Sequence, residues 1–238
     1  MKKWEIKPAR DMDLSLHDSL RSHKRESGLL SRCLHLLSWT VLKLYLCGFH
    51  SFRTSGTSNL PATGPFVLVA NHSSHLDTIA LAAALPFAMR GKVTPIAAGD
   101  TFFTSFPMAA FSSLFINALP MWRKAGTAHA INDLRDRLIQ SDAIYILYPE
   151  GTRTRNGEMG TFKPGIGMII ADTSVPIIPC YLDGCFEALP AGKSKPRRTP
   201  IKLSIGEPVL FVNIPNNRDG WSHTAKALQE SVRTLKSS

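Results

Sequence analysis

The sequence predicts an α/β domain with a largely parallel central sheet flanked by helices. Three observations carry that prediction. The runs "FVLVA" (66–70), "AIYILY" (143–148) and "PIIPCYL" (176–182) are apolar nearly throughout instead of alternating, as strands covered on both faces are. Helical patterns separate them, the order that builds a parallel sheet. No Gly/Ser-rich or Pro-rich linker interrupts the chain between residue 60 and its last residue, so these elements belong to one domain.

Taken in order, residues 1–27 carry both signs of charge and neither an early apolar core nor a small-residue cleavage site, so they read as a loosely ordered basic arm and not as a secretory signal. Residues 28–50 read as a membrane-associating helix. In "LLSRCLHLLSWTVLKLYL" (29–46), Leu30, Cys33, Leu34, Leu37, Val41, Leu44 and Tyr45 share one helical face, while Arg32, His35, Trp39 and Lys43 fall opposite. A spanning helix needs ~20 mostly apolar residues, and Arg32 and Lys43 leave only ten residues between them. The segment therefore predicts an amphipathic helix lying in a membrane interface, with "RSHKR" (21–25) adding attraction to anionic headgroups.

Residues 51–238 form the predicted main domain. A helix follows the first strand from about Asp77 to Ala84. The uncharged stretch 101–122 reads as one or two short apolar helices, because Pro107, Asn117 and Pro120 break a straight span. A helix over Thr127–Gln140, a turn and short helix through "FKPGIGMII", a late strand "IKLSIG" (201–206) and a closing amphipathic helix "WSHTAKALQESVRTLK" complete the order.

The net charge of +10, from 28 Lys plus Arg against 18 Asp plus Glu, favours anionic partners. No basic stripe with interleaved aromatics occurs, so nucleic acid is not an expected partner. Cys33, Cys47, Cys180 and Cys185 show neither a C-x-x-C pair nor a zinc-ligand rhythm, which leaves a reduced, cytosol-facing chain without a disulfide framework. "GKSKPRR" (192–198) reads as a solvated basic loop, with anionic lipid or the phosphates of coenzyme A as alternative contacts.

Ligands of such a sheet gather beyond the carboxyl ends of its strands. Two polar clusters follow strands directly: "NHSSHLD" (71–77) and "PEGTRTRNG" (149–157). His72, His75 and Asp77 admit three readings. They could ligate a metal, but no further Cys, Glu or His motif completes a site. The segment could simply cap a helix, with Asn71, Ser73 or Ser74 at the N-cap and a histidine satisfied in the crevice. They could also form an acid/base pair in which a His72 ring nitrogen takes a proton from a hydroxyl while Asp77 holds the other nitrogen. Ser73 and Ser74 lack a G-x-S-x-G context, so the reading requires no covalent acyl-enzyme. His75 reads as structural.

"NHSSHLD" has the form N-H-x4-D, and "YPEGTRTRNG" (148–157) matches an (F/Y)-P-E-G-T-R-S type of signature. Together with "LFINALPMWR" (114–123) and "VPIIPCYL" (175–182), they make the chain resemble the glycerolipid acyltransferases, whose best-known members are the lysophosphatidic acid acyltransferases. The resemblance covers roughly residues 45–210. It implies an O-acyltransferase that moves a fatty acyl chain from acyl-CoA or acyl-carrier protein to the free hydroxyl of 1-acyl-sn-glycerol-3-phosphate, forming phosphatidic acid in phospholipid biosynthesis. It assigns His72 as general base and Asp77 as its orienting carboxylate. Glu150, Gly151, Thr152, Arg153 and Arg123 become substrate-binding residues, the two arginines holding the acceptor's phosphate in a bidentate fork. Neither a cofactor nor a metal is implied. The implied partners are the membrane phospholipid surface, the acyl donor and the lysophospholipid acceptor; the implied location is the cytoplasmic face of a membrane, peripheral or monotopic. Where the family's second block has a Gly-rich lead, this chain has "FINALPMWR", which makes Asn117 a rival to Arg123 as the residue facing the site. Other acceptors, such as a lysophospholipid or lyso-ornithine lipid, and a non-catalytic lipid-binding module are the alternatives.

Overall fold

A computed structural model describes residues 9–26, 28–122 and 127–237. The strands are β1 (Arg53–Ser55), β2 (Phe66–Ala70), β3 (Val93–Ala98), β4 (Leu119–Met121), β5 (Ile144–Leu147), β6 (Ile177–Asp183) and β7 (Lys202–Ile205). They form one seven-stranded sheet in the order β1-β7-β6-β2-β5-β3-β4. Every neighbouring pair is parallel except β6 and β7. β2 lies near the centre, where all five of its side chains are buried.

The helices are α1 (Leu16–Leu20), α2 (Leu29–His50), α3 (Leu76–Ala84), α4 (Phe87–Arg90), α5 (Gly99–Phe102), α6 (Phe106–Leu114), α7 (Thr127–Gln140), α8 (Gly165–Ile170), α9 (Cys185–Ala188) and α10 (Arg218–Thr234). Strand alternation divides the core between the two faces of the sheet. Phe66, Leu68, Ile146 and Ile178 pack with α2, α3 and α9. Val67, Val69, Tyr145 and Ile177 pack with α7, α8 and α10.

β1, β3 and β4 escape the sequence reading for physical reasons. All three residues of β1 are exposed and polar, so it has no apolar signature. Pro95 and Pro120 lie within β3 and β4, and proline ordinarily argues against a strand because it cannot donate to the ladder. The stretch 101–122 resolves into parts of α5, then α6 and β4.

α2 is packed with its sides reversed relative to an ordinary surface helix. His35 and Trp39, on the side read as polar, are 0% and 1% exposed, whereas Leu30, Leu37, Val41 and Leu44 are 76%, 63%, 55% and 67% exposed. The His35 ring lies 3.1 Å from the Ser113 carbonyl through Nε2, and Trp39 and Leu46 join the core beside α3. Burying a side chain the size of Trp39 contributes about 2–3 kcal/mol.

The arm is ordered over residues 9–26, a correction to its reading as loose. Leu20 is buried, and its carbonyl accepts from Ser113 Oγ at 2.7 Å. Arg25 donates to Asn117 Oδ1 and the Ala118 carbonyl, each at 3.0 Å, while Arg137 donates to the carbonyls of His23 and Arg25. A guanidinium buried without such partners would be costly. Burial pulls Arg25 down to about 10, so it stays charged at neutral pH. Its part is therefore to clamp the arm, and it is lost to the headgroup attraction read from "RSHKR". No helix among the described residues is long and apolar enough to cross a membrane.

Candidate active site

The site begins where β2 stops. Asn71 carries the β2–β6 ladder one step further through its side chain: Nδ2 donates to the Leu182 carbonyl at 2.9 Å and Oδ1 accepts from the Leu182 N–H at 2.8 Å. This frees the backbone to turn upward at His72. Glu150 and Thr154, from the turn after β5, then hold His72 by its main chain. Glu150 Oε1 accepts from the His72 N–H at 2.7 Å, and the Thr154 N–H donates to the His72 carbonyl at 2.9 Å.

Asp77, in the first turn of α3, is 0% exposed and folds back over the same turn. Its Oδ2 accepts from the N–H groups of Ser73 and Ser74 at 2.6 and 2.8 Å and lies 3.0 Å from His72 Nδ1. A carboxylate in that position fixes the tautomer with the proton on Nδ1. Nε2, the other ring nitrogen, then carries the lone pair, and the side chain keeps 18% exposure. Tyr148 lies flat against the imidazole, with centroids 3.9 Å apart and planes 13° apart. Its hydroxyl lies 3.0 Å from Thr78 Oγ1.

Burial raises the Glu150 carboxyl above the usual glutamate range, opposed by the N–H groups of Gly160 and His72. It also raises the Tyr148 phenol well above its ordinary value, with the charge of Asp77 adding to the shift. His75 is exposed, meets Phe102 edge to face, and is lowered by partial burial and then by the charge of Arg153.

The structure thus brings together His72, Asp77, Glu150 and Arg153. Both carboxylate oxygens of Glu150 are used on backbone, Oε1 on the His72 N–H and Oε2 on the Gly160 N–H at 2.8 Å, so it braces the turn. Gly151 takes φ +73°, a conformation that favours glycine. A Cβ there would stand 3.0 Å from Lys163 Nζ. Thr152 is exposed. Arg123 lies outside the described residues. Asn117, its rival, points into the fold, its Nδ2 donating to the Val93 carbonyl at 2.9 Å and its Oδ1 accepting from Arg25; it closes a turn far from His72 in the sheet order.

Two residues of this constellation carry no role in the sequence reading, and Asn71 enters it only as a candidate N-cap. The aromatic before Pro149 was the signal for Tyr148, the lysine of "FKPG" for Lys163, and the polar residue directly ending an apolar run for Asn71. Among the described residues no group of three His, Cys, Asp or Glu side chains could hold a metal ion.

An imidazole with one nitrogen on a buried carboxylate, beside a cationic glycine turn and at the carboxyl end of a central parallel strand, suits an α/β group-transfer protein. Residues 51–183 match the profile of the family described as Acyltransferase. That match covers more than half of the chain, and the chain belongs to this family. It is 30% identical over 189 residues to a 1-acyl-sn-glycerol-3-phosphate acyltransferase of Chlamydomonas reinhardtii, covering 75% of this chain and 52% of that protein. It is 28% identical over 138 residues to the human 1-acyl-sn-glycerol-3-phosphate acyltransferase alpha, covering 58% and 47%. The chain spans about half the length of the curated relatives it matches. The crystal structure of the 1-acyl-sn-glycerophosphate (LPA) acyltransferase PlsC from Thermotoga maritima shares the fold, with a TM-score of 0.63 at 22% identity over 87% of this chain and 81% of that one.

Proposed function

We propose that this protein is a 1-acylglycerol-3-phosphate O-acyltransferase, taking the acyl chain of acyl-CoA or acyl-carrier protein to the free hydroxyl of lysophosphatidic acid and forming phosphatidic acid for phospholipid biosynthesis. The observation that carries the reading is the 3.0 Å pairing of His72 Nδ1 with buried Asp77, in a chain whose relatives bear that name. His72 Nε2 takes the proton of the acceptor hydroxyl as its oxygen attacks the thioester carbonyl, and Asp77 stabilises the imidazolium. The tetrahedral intermediate collapses with cleavage of the C–S bond, and the proton passes from His72 to the leaving thiolate. The ester and a free thiol result, so atoms and charge balance without a cofactor.

Arg153, with Arg123 and the neighbouring Lys163, holds the acceptor's phosphate; guanidinium suits that oxyanion because it binds two oxygens at once. Gly151 and Thr152 shape the approach, and Glu150 keeps His72 at its height. In the domain organisation we propose, an arm (1–27) and a membrane-associating helix (28–50) precede the catalytic domain (51–238). The outward leucines of α2 enter the acyl boundary at the cytoplasmic face, so the protein is peripheral or monotopic.

The test is acyl transfer by the detergent-solubilised protein, with acyl-CoA and acyl-carrier protein each offered against lysophosphatidic acid, lysophospholipids and lyso-ornithine lipid. Transfer to lysophosphatidic acid that His72→Ala abolishes is the expected result. Transfer to another acceptor alone reassigns the substrate. Equal behaviour of wild type and His72→Ala across all pairs overturns catalysis in favour of lipid binding.

A further inference from the structure

A second cationic surface stands on the other side of the catalytic turn. The sheet order places β2 between β5 and β6. The turn after β5 carries Arg153, the proposed seat of the acceptor phosphate. β6 is parallel to β2, so its carboxyl end opens on the same side. The chain leaving it passes through α9 into the segment 189–200, then returns as antiparallel β7.

That segment holds Lys193, Lys195, Arg197 and Arg198, four cations within six positions, all exposed. No carboxylate among the described residues lies within ion-pair distance of any of the four, although Asp183 and Glu187 stand exposed at the base of the segment.

The segment is fastened to the site. Ser74 Oγ, two residues from His72, donates to the Leu189 carbonyl at 2.7 Å, and the Arg197 N–H donates to the Ala188 carbonyl at 2.7 Å. Arg197 is therefore tied to the residue adjoining Leu189, while its guanidinium has no partner among the described residues. At its far end, the Thr199 carbonyl lies 3.0 Å from His50 Nδ1, at the end of α2.

Both substrates of the proposed reaction carry anionic groups away from the reacting atoms. The phosphate of the acceptor has its seat at Arg153, which leaves the phosphates of the donor without one. We infer that Lys193, Lys195, Arg197 and Arg198 form the binding site for the diphosphate and 3′-phosphate of coenzyme A, so that the thioester reaches His72 from the β6 side and the acceptor from the β5 side. The inference rests on the acyl-transfer reading. Guanidinium groups chelate phosphate oxygens in pairs, and the two lysines add point charges. Fixing the donor by this remote handle holds its carbonyl near the base.

The experiment compares wild type with Arg197→Glu/Arg198→Glu and Lys193→Glu/Lys195→Glu, using acyl-CoA, acyl-(3′-dephospho)CoA and acyl-pantetheine, which lacks the diphosphate. In wild type, KM is expected to be lowest for acyl-CoA and to rise with salt, as an electrostatic contact is screened. In the arginine variant, KM for acyl-CoA is expected to rise about tenfold or more, closing the gap between the three donors. Calorimetric titration with 3′,5′-ADP, a fragment of coenzyme A, reads the same site without turnover. Weaker binding to the variants than to wild type supports the inference even if no acyl acceptor is found. Equal binding overturns it even if acyl transfer is established. Loss of acyl-carrier protein turnover with acyl-CoA kinetics unchanged overturns it in favour of an acidic protein partner. Loss of sedimentation with anionic vesicles, with donor kinetics in detergent unchanged, overturns it in favour of lipid headgroups.

Discussion

The turn 71–77 and helix α2 solve opposite problems. Around the turn, backbone and side-chain polar groups from three strand ends are bonded to one another, through Asn71, Asp77, Glu150 and Thr154. Along the outer face of α2, Leu30, Leu37 and Leu44 stand exposed. A polar network holds a single geometry because each missing bond leaves a buried group unsatisfied, whereas an apolar face asks only for an apolar neighbour of about the right area. On the proposed reading, exact positioning falls where a proton would move and tolerance where the molecule would meet a fluid surface.

The sharpest way to break this comparison is at His72. His72→Ala is expected to lower kcat/KM by about 10³-fold, with a thermal midpoint close to wild type. A comparable rate in the variant would remove the turn from catalysis. Asp77→Asn presents an amide hydrogen to N–H donors and disfavours the tautomer, so it should lower the rate by about 10²-fold or more and also the melting temperature.

Next comes the inner side of α2. Trp39→Ala should cost about 3–5 kcal/mol in denaturant unfolding. An unchanged midpoint would mean that the helix does not dock. On the outer side, Leu37→Lys/Leu44→Lys should leave that midpoint unchanged and weaken vesicle sedimentation by about tenfold. Undiminished sedimentation would relocate the membrane contact.

The smallest effect is electrostatic. Burial lowers His35 below the ordinary histidine value, as it does His23. Folding therefore favours their neutral forms, and the stability they support is complete above pH 6.5 and declines as pH falls through their lowered values. The melting temperature is expected to fall between pH 7.5 and pH 5, with a shallower slope in His35→Gln. An identical slope would place the titrating group elsewhere.

The turn was legible in the sequence because its chemistry is local: five positions separate His72 from Asp77, and the strand before it is apolar without interruption. The amphipathic pattern of α2 was legible too. Which side of it meets the domain was not, because Trp39 and His35 bury through contacts with α3 and α6 that periodicity alone does not contain. The clamp at Arg25 was hidden for a related reason, since its partners Asn117 and Ala118 lie more than ninety residues away in sequence. The support for His72 from Glu150 spans seventy-eight positions, and the family resemblance assigned that glutamate to the substrate pocket.

Asn71 has a mechanical consequence. A strand that finishes in a side-chain rung resists fraying where its backbone departs, so the residue after it is cantilevered from a buried interior strand of the sheet. The imidazole inherits that stiffness, and thermal excursions of the surrounding surface segments reach it damped.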